Sequence, residues 1–348
     1  MDNLPATTQA PTTWETALRT TRVTPPATKQ RAEPQCKPSE LPSEPLLQLN
    51  PAASLLFRSR VDIQFGLDTT RTAVVTFPTQ ACATSTVTFL ASTRQPASRQ
   101  DIINGLTRCG NKKETAYALV EDLIAFRVLV PTSPPVEMAL VGSGGLATAV
   151  QELMPADIIH LRTSGPSETD SRFLARVPAG IPIILLDALV EAPTHTLVLS
   201  KKTNTIVQGY VLDGRGFAGP IMVDGDGPCP LCVELYRIDR DPRWRMLVSQ
   251  SLVRKGARDP LILASTAAHI VALSLRAAGI RVAQPGAGNF FHDPPSPAIP
   301  GEFVVVDPYS LTLTHEVMKP HPHCPACFER INGTRLGPPA VPPRISPA

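Results

Sequence analysis

The sequence predicts an α/β chain: an N-terminal winged helix-turn-helix module followed by a Rossmann-type domain with a structural zinc site. Three observations carry that prediction. Short alternating strand patterns lead into two helical repeats between residues 46 and 132. A strand, a glycine-rich turn and a helix open in sequence from Glu137. Two Cys-x-x-Cys pairs, Cys229/Cys232 and Cys324/Cys327, stand about ninety residues apart.

Residues 1–45 are rich in Pro, Thr, Ser and Gln and lack apolar clusters, so they predict a disordered tail. From Ser54 to Phe77, the runs SLLFRSR, DIQFGLD and RTAVVTF read as three short strands of an antiparallel meander, with Ile63, Phe65 and Leu67 alternating and a turn at Asp68 and Thr69. Ser98 stands three residues before Asp101, a capping arrangement ahead of the apolar Ile102, Ile103 and Leu106, and Gly110 stops that helix. Ala116, Leu119, Val120 and Leu123 recur at helical spacing, after which RVLVP turns extended and Pro131 closes the unit. The second helix mixes Glu114, Glu121 and Asp122 with few bases. That is a poor surface for phosphates, so a peptide laid against a strand edge and this helix is the better reading.

Glu137 to Val141 reads as a buried strand, and Gly142, Gly144 and Gly145 open a helix at about Leu146, the layout of a nucleotide-binding βα turn. A working nucleotide site wants an acid at the end of the second strand. That strand, DIIHLRT, ends in Arg162 and Thr163, which favours a degenerate turn that only packs helix against sheet. Further strands are expected at Ile181–Leu186, Thr196–Leu199 and Ile206–Leu212. Asp241 before Pro242 and Asp259 before Pro260 read as helix caps with proline at the first helical position; the second begins a long apolar helix. The stretch EFVVVDPYSLTLTHEV then runs extended toward the second cysteine pair, and residues 333–348 form a Pro-rich disordered tail.

Four thiolates at this spacing suit a tetrahedral Zn2+, since each Cys-x-x-Cys turn supplies one edge of a tetrahedron. Four sulfurs leave no position for substrate, so the metal would be a structural clasp between chain end and middle. His321 and His323 are alternative ligands or neighbours of the site. The Arg237, Asp239, Arg240, Asp241 cluster reads as an ion-pair network that fixes the turn, with an active site as the other possibility. Cys36, Cys82 and Cys109 show no pairing pattern. Neither a secretory signal nor a run of eighteen apolar residues is expected, which points to the cytoplasm and away from membranes. A net charge of +3 over 348 residues makes no electrostatic case for nucleic acid.

At GPCPLCVELYRIDRDPRW the chain resembles the actinobacterial ThiF-like proteins described as cyclodehydratases or leader-peptide-binding proteins of thiazole/oxazole-modified microcin (bacteriocin) biosynthesis. The resemblance rests on Leu235, Arg237, Asp239, Arg240, Asp241, Pro242 and Trp244 after the first cysteine pair. RSRVDIQFGLD, ALVGSGGLATAV, GFAGPIMVDGDGPCPLC and HPHCPAC complete it, so that it spans about residues 46–330. It implies a winged-helix module (46–132) that grips the leader of a ribosomally made precursor peptide and a ThiF-like Rossmann domain (133–332) with bound zinc, little use for ATP and a possible homodimer. A separate YcaO-type cyclodehydratase would then cyclise Cys, Ser or Thr residues of the peptide. The peptide would add a strand at Thr72, Val74 and Thr76 and rest on the helix of Ala116, Leu119, Val120 and Leu123. Two alternatives stay open: an ATP-dependent adenylating enzyme, to which Arg172 and Arg176 could contribute, and a DNA-binding regulator.

Overall fold

The structure is a computed structural model that describes residues 44–132, 134–251, 259–280, 285–286 and 297–336. The expected N-terminal tail lies outside the described residues except for Glu44 and Pro45, as does 337–348 of the C-terminal one.

The first described elements are β1 (Leu47–Leu49), β2 (Leu55–Phe57), β3 (Asp62–Phe65), β4 (Ala73–Thr76), α1 (Gln80–Ser92), α2 (Arg99–Arg108), α3 (Lys113–Ala125) and β5 (Leu129–Pro131). Strands β2, β3 and β4 form an antiparallel sheet with β3 in the middle, and β1 pairs with β5. The alternation holds over β3, where Ile63 and Phe65 are buried and Asp62 and Gln64 point the other way and are half-exposed, but it does not extend to Leu67, which lies beyond the strand and is 72% exposed. Ser98 caps α2 by accepting from the Asp101 N–H, and Gly110, at φ +97°, ends the turn that follows. Helix α1 has no counterpart in the sequence reading. Its QACATSTVTFLAS run is rich in β-branched threonine, which hides the period. The helix forms because Thr79 caps it and because Cys82, Ala83, Thr86 and Leu90 all turn inward onto the core shared with α2 and α3.

Downstream come β6 (Val136–Val141), α4 (Gly145–Leu153), β7 (Ile159–Thr163), α5 (Asp170–Arg176), β8 (Ile183–Leu186), α6 (Ala192–Leu199), β9 (Ile206–Leu212) and β10 (Arg215–Met222). They are followed by α7 (Pro230–Arg240), α8 (Trp244–Ser251), α9 (Pro260–Ala277), β11 (Glu302–Asp307), β12 (Thr312–Val317) and α10 (Pro325–Leu336). One seven-stranded sheet runs β12-β11-β10-β9-β8-β6-β7. The β7-β6-β8-β9 part is parallel and the β9-β10-β11-β12 part antiparallel.

Strands β6 and β8 are apolar on both sides, and the two sides feed different cores. Met138, Leu140, Ile184 and Leu186 pack with α4 and α9, whereas Ala139, Val141, Ile183 and Leu185 pack with α5, α6 and the four cysteines. This double burial is why these strands read as continuous apolar runs. Helix α9 is long and apolar enough to cross a membrane by length and composition, but Ile262, Thr266, Ala267, Ile270 and Leu273 bury it against the sheet.

Two expected elements differ. Thr196–Leu199 is the last turn of α6, not a strand: Pro193 sits in the first turn of the helix, and Ala192, His195, Thr196 and Leu199 are buried at helical spacing. Asp241 closes α7 and caps the following turn at Arg243 N (2.9 Å), so α8 begins only at Trp244. By contrast Asp259 caps α9 as expected, accepting from Leu261 and Ile262.

Candidate metal centre

The first half of the centre is set by the end of β10. Val223 and Asp226 close a tight turn through reciprocal backbone bonds of 2.8 and 2.7 Å. Gly227 then adopts φ +98°, and a Cβ there would stand 2.9 Å from the Ile221 carbonyl oxygen, so only glycine passes. That delivers Cys229 to the N-cap of α7, with Pro230 at the first helical position. Cys324 likewise directly precedes Pro325, the first residue of α10. Both pairs are therefore Cys-Pro-x-Cys motifs at helix N-termini, where free N–H groups and the helix dipole favour thiolate.

The sulfurs converge. Cys229 Sγ lies 3.7 Å from Cys232 Sγ and 3.5 Å from Cys324 Sγ, and Cys232 Sγ lies 3.4 Å from Cys327 Sγ. All four are within 4.8 Å of one another and almost fully buried, the most exposed at 3%. A tetrahedral zinc with Zn–S bonds of about 2.3 Å needs sulfurs about 3.8 Å apart, so this quartet could hold such an ion with small adjustments. Sulfur neighbours Cys229, Cys324 and Cys327, and then burial, push the Cys232 thiol far up, while hydrogen bonds from Cys229 and Cys232 draw Cys324 down to about 7. With all four sulfurs deprotonated, a cluster this close and this dry would call for a cation between them, and its geometry could hold one.

The side chains of His321, Arg237, Asp239 and Asp241 are committed elsewhere. His321, 3% exposed, accepts the His323 N–H at Nδ1 (3.1 Å), so its proton sits on Nε2, facing the Asp239 carboxylate at 2.8 Å. Both nitrogens being engaged, His321 approaches the sulfurs only through its backbone N–H, 3.3 Å from Cys232 Sγ. The expected Arg237–Asp239–Arg240–Asp241 network is replaced by separate contacts. Arg237 lies over the rings of Trp244, Tyr210 and Phe217 at 4.7, 5.1 and 5.6 Å, Asp239 holds His321, and Asp241 caps its own turn. Spacing in sequence could not reveal this, because the partners come from β9, β10 and the segment before α10.

At the glycine turn, Gly142 has φ +132°, and a Cβ would come within 2.7 Å of the Leu186 carbonyl oxygen; its role is close strand packing. Gly144 is the N-cap of α4 with open space around it, and Gly145 starts the helix. Beyond Thr163 the first acid is Glu168, tied to Arg176 at 2.5 Å. A cavity of about 10 Å³ between the carboxyl end of β8 and the middle of β9 was not legible in sequence. Gln208 and Trp244 line it, each with a buried side-chain nitrogen that has no hydrogen-bond partner among the described residues.

The expected peptide-binding residues divide. Strand β4 is an edge strand. The bond from Phe77 N to Val61 O marks residues 61 and 77 as a hydrogen-bonded pair, and by alternation Ala73 and Val75 also bond β3. Val74 and Thr76 therefore aim their backbone groups outward, with Thr72 next in the series, and the Val74 side chain is 44% exposed. Ala116, Leu119, Val120 and Leu123 are core residues, buried because they form the inward stripe of α3. A ligand on α3 meets its exposed face instead, which carries Glu114, Tyr117 and Asp122.

No family model and no curated protein matches the chain. Similar solved structures include a heterocyclase in complex with substrate and cofactor, at 16% identity and TM-score 0.48, covering 81% of this chain and 39% of that one. The heterocyclase TruD is 15% identical with TM-score 0.48, over 87% of this chain and 45% of its own. E. coli MccB with MccA is 12% identical with TM-score 0.45, over 81% of this chain and 99% of that one. This chain thus spans less than half the length of the two heterocyclases it matches.

Proposed function

We propose that the chain is a non-catalytic adaptor that binds the leader of a ribosomally made precursor peptide and presents it to a YcaO-type cyclodehydratase for azoline formation. In this reading residues 46–132 are a winged-helix peptide-recognition module, and residues 133–332 are a ThiF-like Rossmann domain held by a structural Zn2+ on Cys229, Cys232, Cys324 and Cys327. The observation that carries it is the outward edge of β4. Among the described residues, the outward backbone donors and acceptors of Val74 and Thr76 have no strand partner, and such an edge is read by a peptide adding a strand of its own. Tethering the leader there would raise the local concentration of the peptide core at a cyclase acting in trans. The sequence resemblance at GPCPLCVELYRIDRDPRW supplies the pathway, and the absence of an acid in the TSGPS segment after β7 supports a turn that does not hold ATP.

Fluorescence anisotropy of a labelled precursor leader, titrated with the full chain, tests this. Saturable binding is expected, with no ATP-dependent pyrophosphate exchange. Pyrophosphate exchange without leader binding would replace the adaptor by an adenylating enzyme; salt-dependent capture of promoter DNA in place of peptide would replace it by a regulator.

A further inference from the structure

Four cysteinates around one Zn2+ carry a net charge of −2, in a place where none of the sulfurs is more than 3% exposed. Such a dianion needs positive charge close by. Arg330 brings it. Its guanidinium donates from one terminal nitrogen to Cys327 Sγ at 3.0 Å and to the Gly227 carbonyl at 3.3 Å, and from the other to Met222 Sδ at 2.9 Å. The geometry follows from the chain. Arg330 is three residues after Cys327 on α10, so the helix puts both on one face. Met222 ends β10, and Gly227 lies in the turn that delivers Cys229, so one side chain bridges the two halves of the clasp.

We propose that Arg330 is the positioning residue that retains the metal: its charge offsets the thiolates, and its planar fork locks α10 onto the turn before α7. This rests on the zinc reading above. A charge-assisted bond to a thiolate stabilises the metal-bound form, and a fork reaching three acceptors cannot be copied by the single ammonium of lysine. His321 reaches the sulfurs only through a neutral backbone donor to Cys232, whereas Arg330 brings a guanidinium directly onto Cys327.

The test uses the full chain as wild type, Arg330→Met and Arg330→Lys. Zinc content is measured first, then the rate at which a chromogenic chelator strips the metal, then the thiolate-to-metal charge-transfer band after Co2+ substitution. One zinc per chain is expected in wild type. Arg330→Met should release it at least about tenfold faster, with Arg330→Lys between the two. A shifted Co2+ band in both variants is also expected, since Arg330→Met removes the N–H donor to Cys327 and the ammonium of Arg330→Lys cannot hold the same forked contact. Should Arg330→Met be insoluble, the Lys variant decides by the same measurements. Zinc-loaded variants with wild-type release rates and an unchanged Co2+ band overturn the role of Arg330 and leave the zinc site standing. A wild-type chain without zinc overturns the site itself.

Discussion

A single glycine or cysteine in this chain acts by making room or by making charge. Gly227 lets the backbone pass Ile221 so closely that Cys229 reaches the N-cap of α7. Once there, each sulfur depends on the other three, because a buried thiolate without a metal is expelled toward its protonated form. Cys229→Ser or Cys324→Ser should therefore lose the metal and leave most of the protein in the insoluble fraction. Structural zinc is worth on the order of 10 kcal/mol in small zinc peptides, which rivals the whole stability of a typical domain. Soluble yield and zinc content per chain check this together; a soluble, cooperatively folded serine variant would show the clasp to be dispensable.

Among the elements, β4 is the place where structure and proposed function meet. Its two edges are not equivalent: Ala73 and Val75 are used by β3, whereas Val74 and Thr76 face away. Proline removes an N–H and is tolerated at edge positions whose N–H points to solvent. Val74→Pro should therefore keep the fold and weaken leader binding by about tenfold or more, the loss of one or two hydrogen bonds. Val75→Pro should instead break the β3 ladder and lower the thermal midpoint of the chain. Equal effects of the two substitutions on binding, at equal stability, would remove β4 as the docking edge. The sequence placed β4 and α3 correctly and still assigned core residues of α3 to the ligand. Helical spacing identifies which residues share a stripe, but not whether that stripe faces water or a neighbouring helix. Helix α2 and strand β5 supply that neighbour, and their place against α3 is set by the tertiary fold rather than by the spacing within α3.

For the molecule as a whole, the sheet is tied across its antiparallel half by Glu302. This side chain, on β11 and 3% exposed, pairs with Arg276 of α9 and with His315 of β12 at 2.5 Å. Burial works to raise the Glu302 carboxyl, yet the bonds from Arg276 and His315 outweigh it and hold the group below its ordinary value. A depressed carboxylate stabilises the fold at pH above its unfolded value of about 4.3, and that contribution disappears as pH falls through the folded value. Arg276→Met leaves the buried charge without its main partner and should cost about 3 kcal/mol at neutral pH. Urea denaturation at pH 7 and at pH 4 checks both points: the gap between variant and wild type should shrink on acidification. A gap that stays constant would show that the pair contributes nothing through charge.

What the sequence determined by itself is local: the alternation in β3, the caps at Ser98 and Asp259, the strand, glycine turn and helix at β6, and four cysteines in two pairs whose spacing anticipates one cluster. Each rests on residues within a few positions of one another, or on a chemistry so narrow that spacing alone names it. Tertiary structure decided the rest. It made Thr196–Leu199 helical, set Arg237 among aromatic rings from three elements, occupied both nitrogens of His321, and brought Arg330 across from α10 to Cys327, Met222 and Gly227. These outcomes follow from which distant segments the sheet order brings together, and no periodicity within a segment encodes that.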